Sequence, residues 1–421
     1  MKRFNKTFLA ISITLASSQA MAAGFQLNSQ SATGLGRAMA GDAVIADNAS
    51  VLSRNPAAMA LFKDKAVSLG ITYADVQVEV DNVTSVYGNS GSEGDAGSGK
   101  IIPNAYYIQP INESWAMGFG AFSNFGTGTD TSKLAANTED TFQAPVDLLG
   151  ETEITSIDFN ASVSYRFNEY FSLGLGVDFV YGTGKLTRKG PILALAGTTD
   201  LTIADVEASG WGVGGIAGLV YEIDQDNRIG LSYRYSPTIK ANGDTIESLN
   251  ASLTLTSYDQ IEIPLPNIAQ LGGFHQITEH FALSYTAQYT QWGEFDRITL
   301  LDSETDGSNY VLKEYQWDDS WLFSIGGTYD INDTWTARIG YMYDQGVVGD
   351  LSSLSIPDSD RNWYTGGVSY HFDQKSSLDF GVAFVRGKKT HLTEASSIVG
   401  DVTASTHSNG TYYSMQYSYN F

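Results

Sequence analysis

The sequence has 421 residues, with 24 Lys or Arg against 47 Asp or Glu, a formal charge of −23, and no cysteine. A chain this acidic is a poor partner for nucleic acid, and the missing cysteine excludes disulfides, cysteine-ligated zinc and a thiol nucleophile. Size rather than covalent staples must hold the fold together.

The chain opens on a targeting pattern. Lys2, Arg3 and Lys6 precede an apolar run from Phe8 to Ala16, and Ala20-Met21-Ala22 has the small-x-small spacing of a signal-peptidase site. Residues 1–22 are therefore expected to be a signal peptide cleaved after Ala22. The apolar run falls short of the ~20 residues of a spanning helix, and Gly, Ser, Asn or Asp interrupts every later apolar segment.

Residues 23–64 show no sustained period of two and are rich in Gly, Ala, Ser and Asn. They also hold Phe25, Leu27, Leu35, Val44, Ile45, Val51, Leu52 and Phe62, more apolar content than disordered tails carry. This segment is predicted to fold as a plug inside the rest of the chain. Within it, "RNPAAMALF" reads as a local helix start, with Asn55 as N-cap and Pro56 at the first helical position.

From residue 65 the chain alternates almost without pause. Ile157, Phe159, Ala161, Val163, Tyr165 and Phe167 share one face, and Asp158, Asn160, Ser162, Ser164 and Arg166 the other. Similar stripes run through 171–181, 211–223, 281–289, 321–331, 335–343 and 364–372, and the chain ends on one, "YSMQYSYNF". Strands of soluble sandwiches average about five or six residues, and several of these are far longer. Long strands with one apolar face point to a transmembrane barrel whose stripes face lipid.

Six short polar reversals ("PINESW", "RFNEYF", "IDQDNRI", "QITEHF", "DINDTW", "FDQKSSL") alternate with seven longer connections near 82–100, 127–152, 186–208, 240–256, 300–316, 345–361 and 387–406. Thirteen connections join fourteen strands, short turns on the periplasmic side and long loops outside. The region 250–277 holds Pro264 and Pro266 and is read as one strand bent at a bulge. The predicted fold is thus all-β: a 14-stranded antiparallel transmembrane β-barrel over residues 65–421, with the plug (23–64) in its lumen.

Signatures of catalysis are lacking. "GWGVGG" (210–215) matches a nucleotide-binding glycine pattern but lies within an alternating strand with no helix after it, and its inward glycines are expected to make room for the plug. His275, His280, His371, His391 and His407 have no metal-ligand spacing, and no Gly-x-Ser-x-Gly elbow occurs. No enzyme, metal or cofactor is expected, a barrel-embedded lipid hydrolase being a remote alternative. In "SWAMGFGAFSNFGTG" the alternation breaks at Phe122 to Gly126, which fits either a strand fraying into its loop or a bulge or inward kink.

These residues resemble a known family. "GFQLNSQSATGLGRAMAGDAVIADNASVLSRNPAAM" is similar to the plug of the FadL family of outer-membrane long-chain fatty-acid transporters, and "SNFG" (123–126), "SLGLGVDFVYGTGKLTR" (172–188), "YTQWGEF" (289–295) and "SIPDSDRNW" (355–363) match as well. The resemblance implies passive uptake across the outer membrane of a Gram-negative cell. It implies a ligand pocket shared by Phe25, with Arg188 and Lys313 meeting the carboxylate. Movement of the plug around Asn55, Pro56 and Ala57, with Asp344 nearby, would open a lateral exit at Ser123, Asn124, Phe125 and Gly126. Implied partners are long-chain fatty acids or similar hydrophobic molecules, with outer-membrane lipid and lipopolysaccharide around the barrel. Neutral aromatic hydrocarbons are the alternative cargo.

Overall fold

The computed structural model describes residues 24–97, 99–136, 143–191, 201–249, 254–349 and 351–421. The expected signal peptide lies outside the described residues. The strands are β1 (Ala66–Ser85), β2 (Lys100–Pro110), β3 (Trp115–Phe122, resuming at Gly126–Asp130), β4 (Glu151–Arg166), β5 (Phe171–Gly190), β6 (Leu201–Glu222) and β7 (Asn227–Tyr235 and Thr238–Leu249). They continue with β8 (Leu255–Pro264 and Ile268–Gln276), β9 (Phe281–Thr290 and Arg297–Ser303), β10 (Tyr310–Glu314 and Ser320–Asn332), β11 (Trp335–Asp344), β12 (Arg361–His371), β13 (Ser376–Gly387 and Thr390–Ser396) and β14 (Gly400–Asn420). Each pairs antiparallel with its sequence neighbour, and β14 returns to β1 from Ala66↔Asn420 to Val80↔Thr406, closing the barrel.

The period of two decides which face meets what. On β5, Leu173, Leu175, Val177 and Phe179 are exposed, while Ser172, Asp178 and Val180 are buried. Tyr413, Met415 and Tyr417 of the terminal stripe are likewise exposed, opposite Tyr73, Ile71 and Leu69 of β1 in the ladder. This is an inside-out arrangement for water and a matched one for lipid. Among the described residues no helix is long and apolar enough to cross a membrane.

All six short reversals close with one device, a side-chain oxygen accepting backbone N–H groups two or three residues on. Asn112 takes Ser114 and Trp115, Asn168 takes Tyr170 and Phe171, Asp224 takes Asp226, Thr278 takes His280 and Phe281, Asn332 takes Thr334 and Trp335, and Asp373 takes Lys375 and Ser376. The polar residues of these turns are therefore structural rather than merely soluble.

The bend at Pro264 to Pro266 is one strand, as expected, but it is shared. β7 breaks beside it at Ser236-Pro237, β9 at 291–296 and β10 at 315–319. Asn267 bridges three strands there, its Oδ1 accepting from Ser236 N at 2.9 Å and its carbonyl from Gln291 N at 2.9 Å. The long connections are shorter than alternation suggests: β5 runs to Gly190 and β6 starts at Leu201, and residues 82–100 contain a strand, Gly88–Glu93, folded back on β1. Outward residues there, such as Thr183, Lys185 and Thr187, are polar, so the ladder continues where the apolar signal stops.

Residues 24–61 lie almost wholly buried against inward-facing side chains on many strands. Ser31, Asn48 and Asn55 each cap a short helical turn, at Ala32–Gly36, Ala49–Ser53 and Pro56–Leu61. Close approach requires glycine on the wall: a Cβ on Gly218 would stand 1.9 Å from Asn55 Oδ1, and one on Gly174 2.2 Å from Ala57 N. The glycines of "GWGVGG" do a different job from the one expected. A Cβ on Gly210 would meet Lys240 O at 2.2 Å, and one on Gly212 would meet Pro237 and Ile239 at 2.7 Å, so they accommodate the folded-in β7 instead of the N-terminal segment.

Candidate functional site

The strand breaks build an aromatic pocket. Freed from the ladder, Trp292 and Phe295 of the β9 break and Tyr315 and Trp317 of the β10 break turn into the barrel, all buried. The Phe25 ring fills the space between them, fully buried, with ring centroids 4.8 Å from Trp292, 4.8 Å from Phe295, 5.8 Å from Trp317 and 5.9 Å from Phe125. Gly24 precedes it at φ +59°, where a Cβ would lie 2.8 Å from the Trp292 ring, so this turn admits only glycine. Sequence reasoning found Phe25 and Phe125 but missed Trp292, Phe295, Tyr315 and Trp317. One signal was available: Trp292 falls on the lumen-facing parity of β9, in line with Ser284, Thr286, Gln288 and Thr290.

Above the pocket lies an outer cavity of ≈ 510 Å³, lined by Leu148, Leu186, Ile203, Leu312, Arg188 and Lys313 among others. The structure thus brings the two expected basic residues to one cavity, in unequal states. Arg188 is buried, donating Nη1 to the carbonyls of Glu151 (2.7 Å) and Thr187 (2.9 Å) and Nη2 to Thr152 Oγ1 (2.7 Å), with no ion pair among the described residues. Lys313 already pairs with Glu394, whose other oxygen accepts from Leu354 N at 2.7 Å. Tyr315 joins the two spaces, its hydroxyl 3.1 Å from Ser355 Oγ, and Ser355 lines the outer cavity. Burial pushes the Tyr315 phenol up to about 12, against the Ser355 hydrogen bond, so it stays neutral.

At the pocket's other side β3 is broken. Its ladder with β2 ends at Ala105↔Ala121, and the resumed part, Gly126–Asp130, pairs with β4, while Lys100–Asn104 of β2 pair only with β1. Ser123, Asn124, Phe125 and Gly126 form the kink between and are buried. Alternation would send Phe125 to lipid, yet it packs on Phe25 and Trp292. Asn124 is held by Asp158 through its backbone N (3.3 Å) and Nδ2 (3.0 Å). The N-terminal segment covers the kink from inside, with Gly126 N donating to Phe25 O (2.8 Å) and Leu27 N to Asn124 O (2.7 Å).

The turn at Asn55-Pro56-Ala57 packs on Gly174 of β5 and Gly218 of β6. Asn55 Oδ1 accepts from Ala57 N (3.0 Å), and its Nδ2 donates to Ala43 O (2.8 Å) and Leu219 O (3.1 Å). Asp344 does not join it. It is buried at the outer end of β11, level with Arg361 of β12. Next to it Arg361 pairs with Asp358, and that carboxylate accepts from Val347 N (2.7 Å) and from Gly24 N, fastening Gly24 beside the aromatic pocket. Burial pushes the Asp358 carboxyl up, opposed by Arg361 and these N–H groups. The acidic position expected near the plug therefore neighbours its N-terminal anchor, because β11 carries it to the outer end.

A family model described as outer membrane protein transport protein (OMPP1/FadL/TodX) matches residues 13–421. Outer membrane protein P1 of Haemophilus influenzae is 34% identical over 455 residues, covering 98% of this chain and 96% of that protein. A long-chain fatty acid transport protein of Escherichia coli strain K12 is 32% identical over 429 residues, covering 93% and 94%. The crystal structure of a Pseudomonas aeruginosa FadL homologue superposes with TM-score 0.79 at 23% identity over 95% of this chain and all, 100%, of that one. The Pseudomonas putida toluene transporter TodX gives 0.68 at 19% identity over 95% and 100%. The two structures share the fold.

Proposed function

The chain belongs to the outer membrane protein transport protein family, and from that premise we propose that it carries long-chain fatty acids passively across the outer membrane, with residues 1–22 as leader and 23–64 as plug. One observation carries the reading: an apolar pocket occupied by the protein's own Phe25, placed beneath a cavity whose Arg188 forms no ion pair among the described residues. An acyl chain gains about 0.8 kcal/mol per buried CH₂, and a charge-assisted contact orients its head.

The acid enters the outer cavity, its carboxylate on Arg188 and on Lys313 after exchange with Glu394. Its tail displaces Phe25. That displacement breaks the two backbone bonds to the kink, and shifts around Asn55 to Ala57 and the Asp344 neighbourhood let the N-terminal segment withdraw. The ligand then leaves between β2 and β3 into lipid, so its tail never crosses periplasmic water. Membrane lipid covers the stripes, and lipopolysaccharide the rim above them.

The test is binding of labelled oleate to the purified barrel with toluene as competitor, for wild type and an Arg188→Ala/Lys313→Ala variant. Saturable binding that resists toluene and weakens in the variant supports the reading. Free displacement by toluene, with the variant binding like wild type, transfers it to neutral aromatic hydrocarbons, a cargo favoured by the prior neutralisation of Lys313 by Glu394. Hydrolysis of a lipid ester by the barrel, lost on changing one serine, would instead support the enzyme alternative.

A further inference from the structure

Arg54 has no part in the path described so far. It sits in the plug directly before Asn55 and is 6% exposed. Its Nη2 reaches two neutral acceptors, Gln30 Oε1 and Asn28 Oδ1 (3.4 Å), and its Nε has no partner. The acids and cations around it are committed elsewhere: Asp42 to Arg37 at 3.2 Å, and Arg234 to Asp178 and to the Ser53 carbonyl at 2.6 Å. Among the described residues Arg54 forms no ion pair. A guanidinium out of water with only amide oxygens on it is poorly compensated, because a carboxylate accepts about twice as strongly as a neutral group.

Its position gives this surplus charge a use. The Gln30 amide that accepts from Arg54 also donates, through Nε2, to Ser123 O at 2.9 Å, Asn124 Oδ1 at 3.3 Å and Leu27 O at 2.8 Å. One side chain therefore separates Arg54 from the kink. Among the described residues Asn28 Nδ2, Ser29 Oγ and both polar side-chain atoms of Asn104, on the stretch of β2 that β3 abandons, also lack partners. Unused hydrogen-bonding capacity gathers behind the gap.

We propose that Arg54 is a second head-group site, which receives the carboxylate behind the β2–β3 gap once Phe25 to Gln30 have moved. The inference rests on the fatty-acid reading. In the closed state the oxygens of Gln30 and Asn28 stand where the two carboxylate oxygens bind. Both residues belong to the segment that withdraws, so the ligand replaces weaker acceptors with a stronger one. A neutral ligand gains nothing from the exchange, which makes Arg54 a determinant of acid over neutral cargo during exit.

The experiment compares entry rates of labelled oleate and oleyl alcohol, equal in chain length, into proteoliposomes holding wild type, Arg54→Gln or Arg54→Lys. Oleate entry is expected to fall about tenfold in Arg54→Gln, with oleyl alcohol entry and equilibrium oleate affinity within about twofold of wild type. Arg54→Lys should restore most of the oleate rate. Unchanged oleate entry in Arg54→Gln overturns the proposal. So does equal slowing of acid and alcohol in both variants, which makes Arg54 a stitch in the plug and no more. A wild-type barrel that passes the alcohol but not the acid refutes the fatty-acid reading itself, whatever the variants do.

Discussion

Truncating Phe25 separates a built-in occupant from a passive core residue. Phe25→Ala removes a fully buried ring that touches four other aromatics. Losing such a ring in a closed core costs ~3–5 kcal/mol. Here the backbone bonds of the segment remain, Gly126 N to Phe25 O at 2.8 Å and Leu27 N to Asn124 O at 2.7 Å, so the segment still covers the kink. A ligand that must expel the ring regains up to ~5 kcal/mol in the variant, a ceiling of roughly a few thousand-fold in affinity. Partial collapse of the emptied pocket reduces that, and roughly tenfold tighter oleate binding is expected. Trp292 and Trp317 border the ring and report directly, so oleate titrated against tryptophan fluorescence gives the dissociation constant. Affinity equal to or weaker than that of wild type would refute the competition, leaving Phe25 as part of the bound pocket or as structure alone.

Two other expectations follow from particular contacts. Glu394→Gln releases Lys313 from its ion pair and should tighten oleate several-fold while leaving oleyl alcohol binding unchanged; equal changes for both ligands would mean that the cavity had simply altered shape. Gly218→Ala places a Cβ 1.9 Å from Asn55 Oδ1 and should cost about 1–3 kcal/mol in the packing of the N-terminal segment on the wall. Limited proteolysis of the folded barrel should then cut within residues 24–64 faster than in wild type, and unaltered cleavage would show that this segment shifts without strain.

Much of the barrel was legible because lipid imposes a repeating demand. Every strand must turn apolar side chains outward, which writes a period of two into the sequence, and every short turn uses an Asn, Asp or Thr that closes it by its own oxygen. The proline bend was readable too, since proline cannot donate to a ladder. Its spread to β9 and β10 was not, because an interrupted strand passes its defect to partners that carry no proline of their own at that level, whereas β7 breaks at its own Pro237. The polar outer parts of β5, β6 and β13 looked like loops for a related reason: hydrogen-bond ladders persist beyond the membrane while the apolar stripe does not.

The site divides along the same line. Phe25, Arg188, Lys313 and the break at Ser123 to Gly126 could be named from the linear chain, because each stands in a recognisable stretch or disturbs a regular alternation. Residue order by itself determined the strand number and the two faces of the wall, both set by local periodicity and turn chemistry. Only the closed barrel decided that Phe25 meets Trp292, Phe295 and Trp317, that Glu394 already holds Lys313, that Asp344 sits by the N-terminal anchor, and that Arg54 ends behind the gap. Those contacts join residues tens to hundreds of positions apart, and their partners are chosen by strand register and barrel closure, which no local pattern encodes.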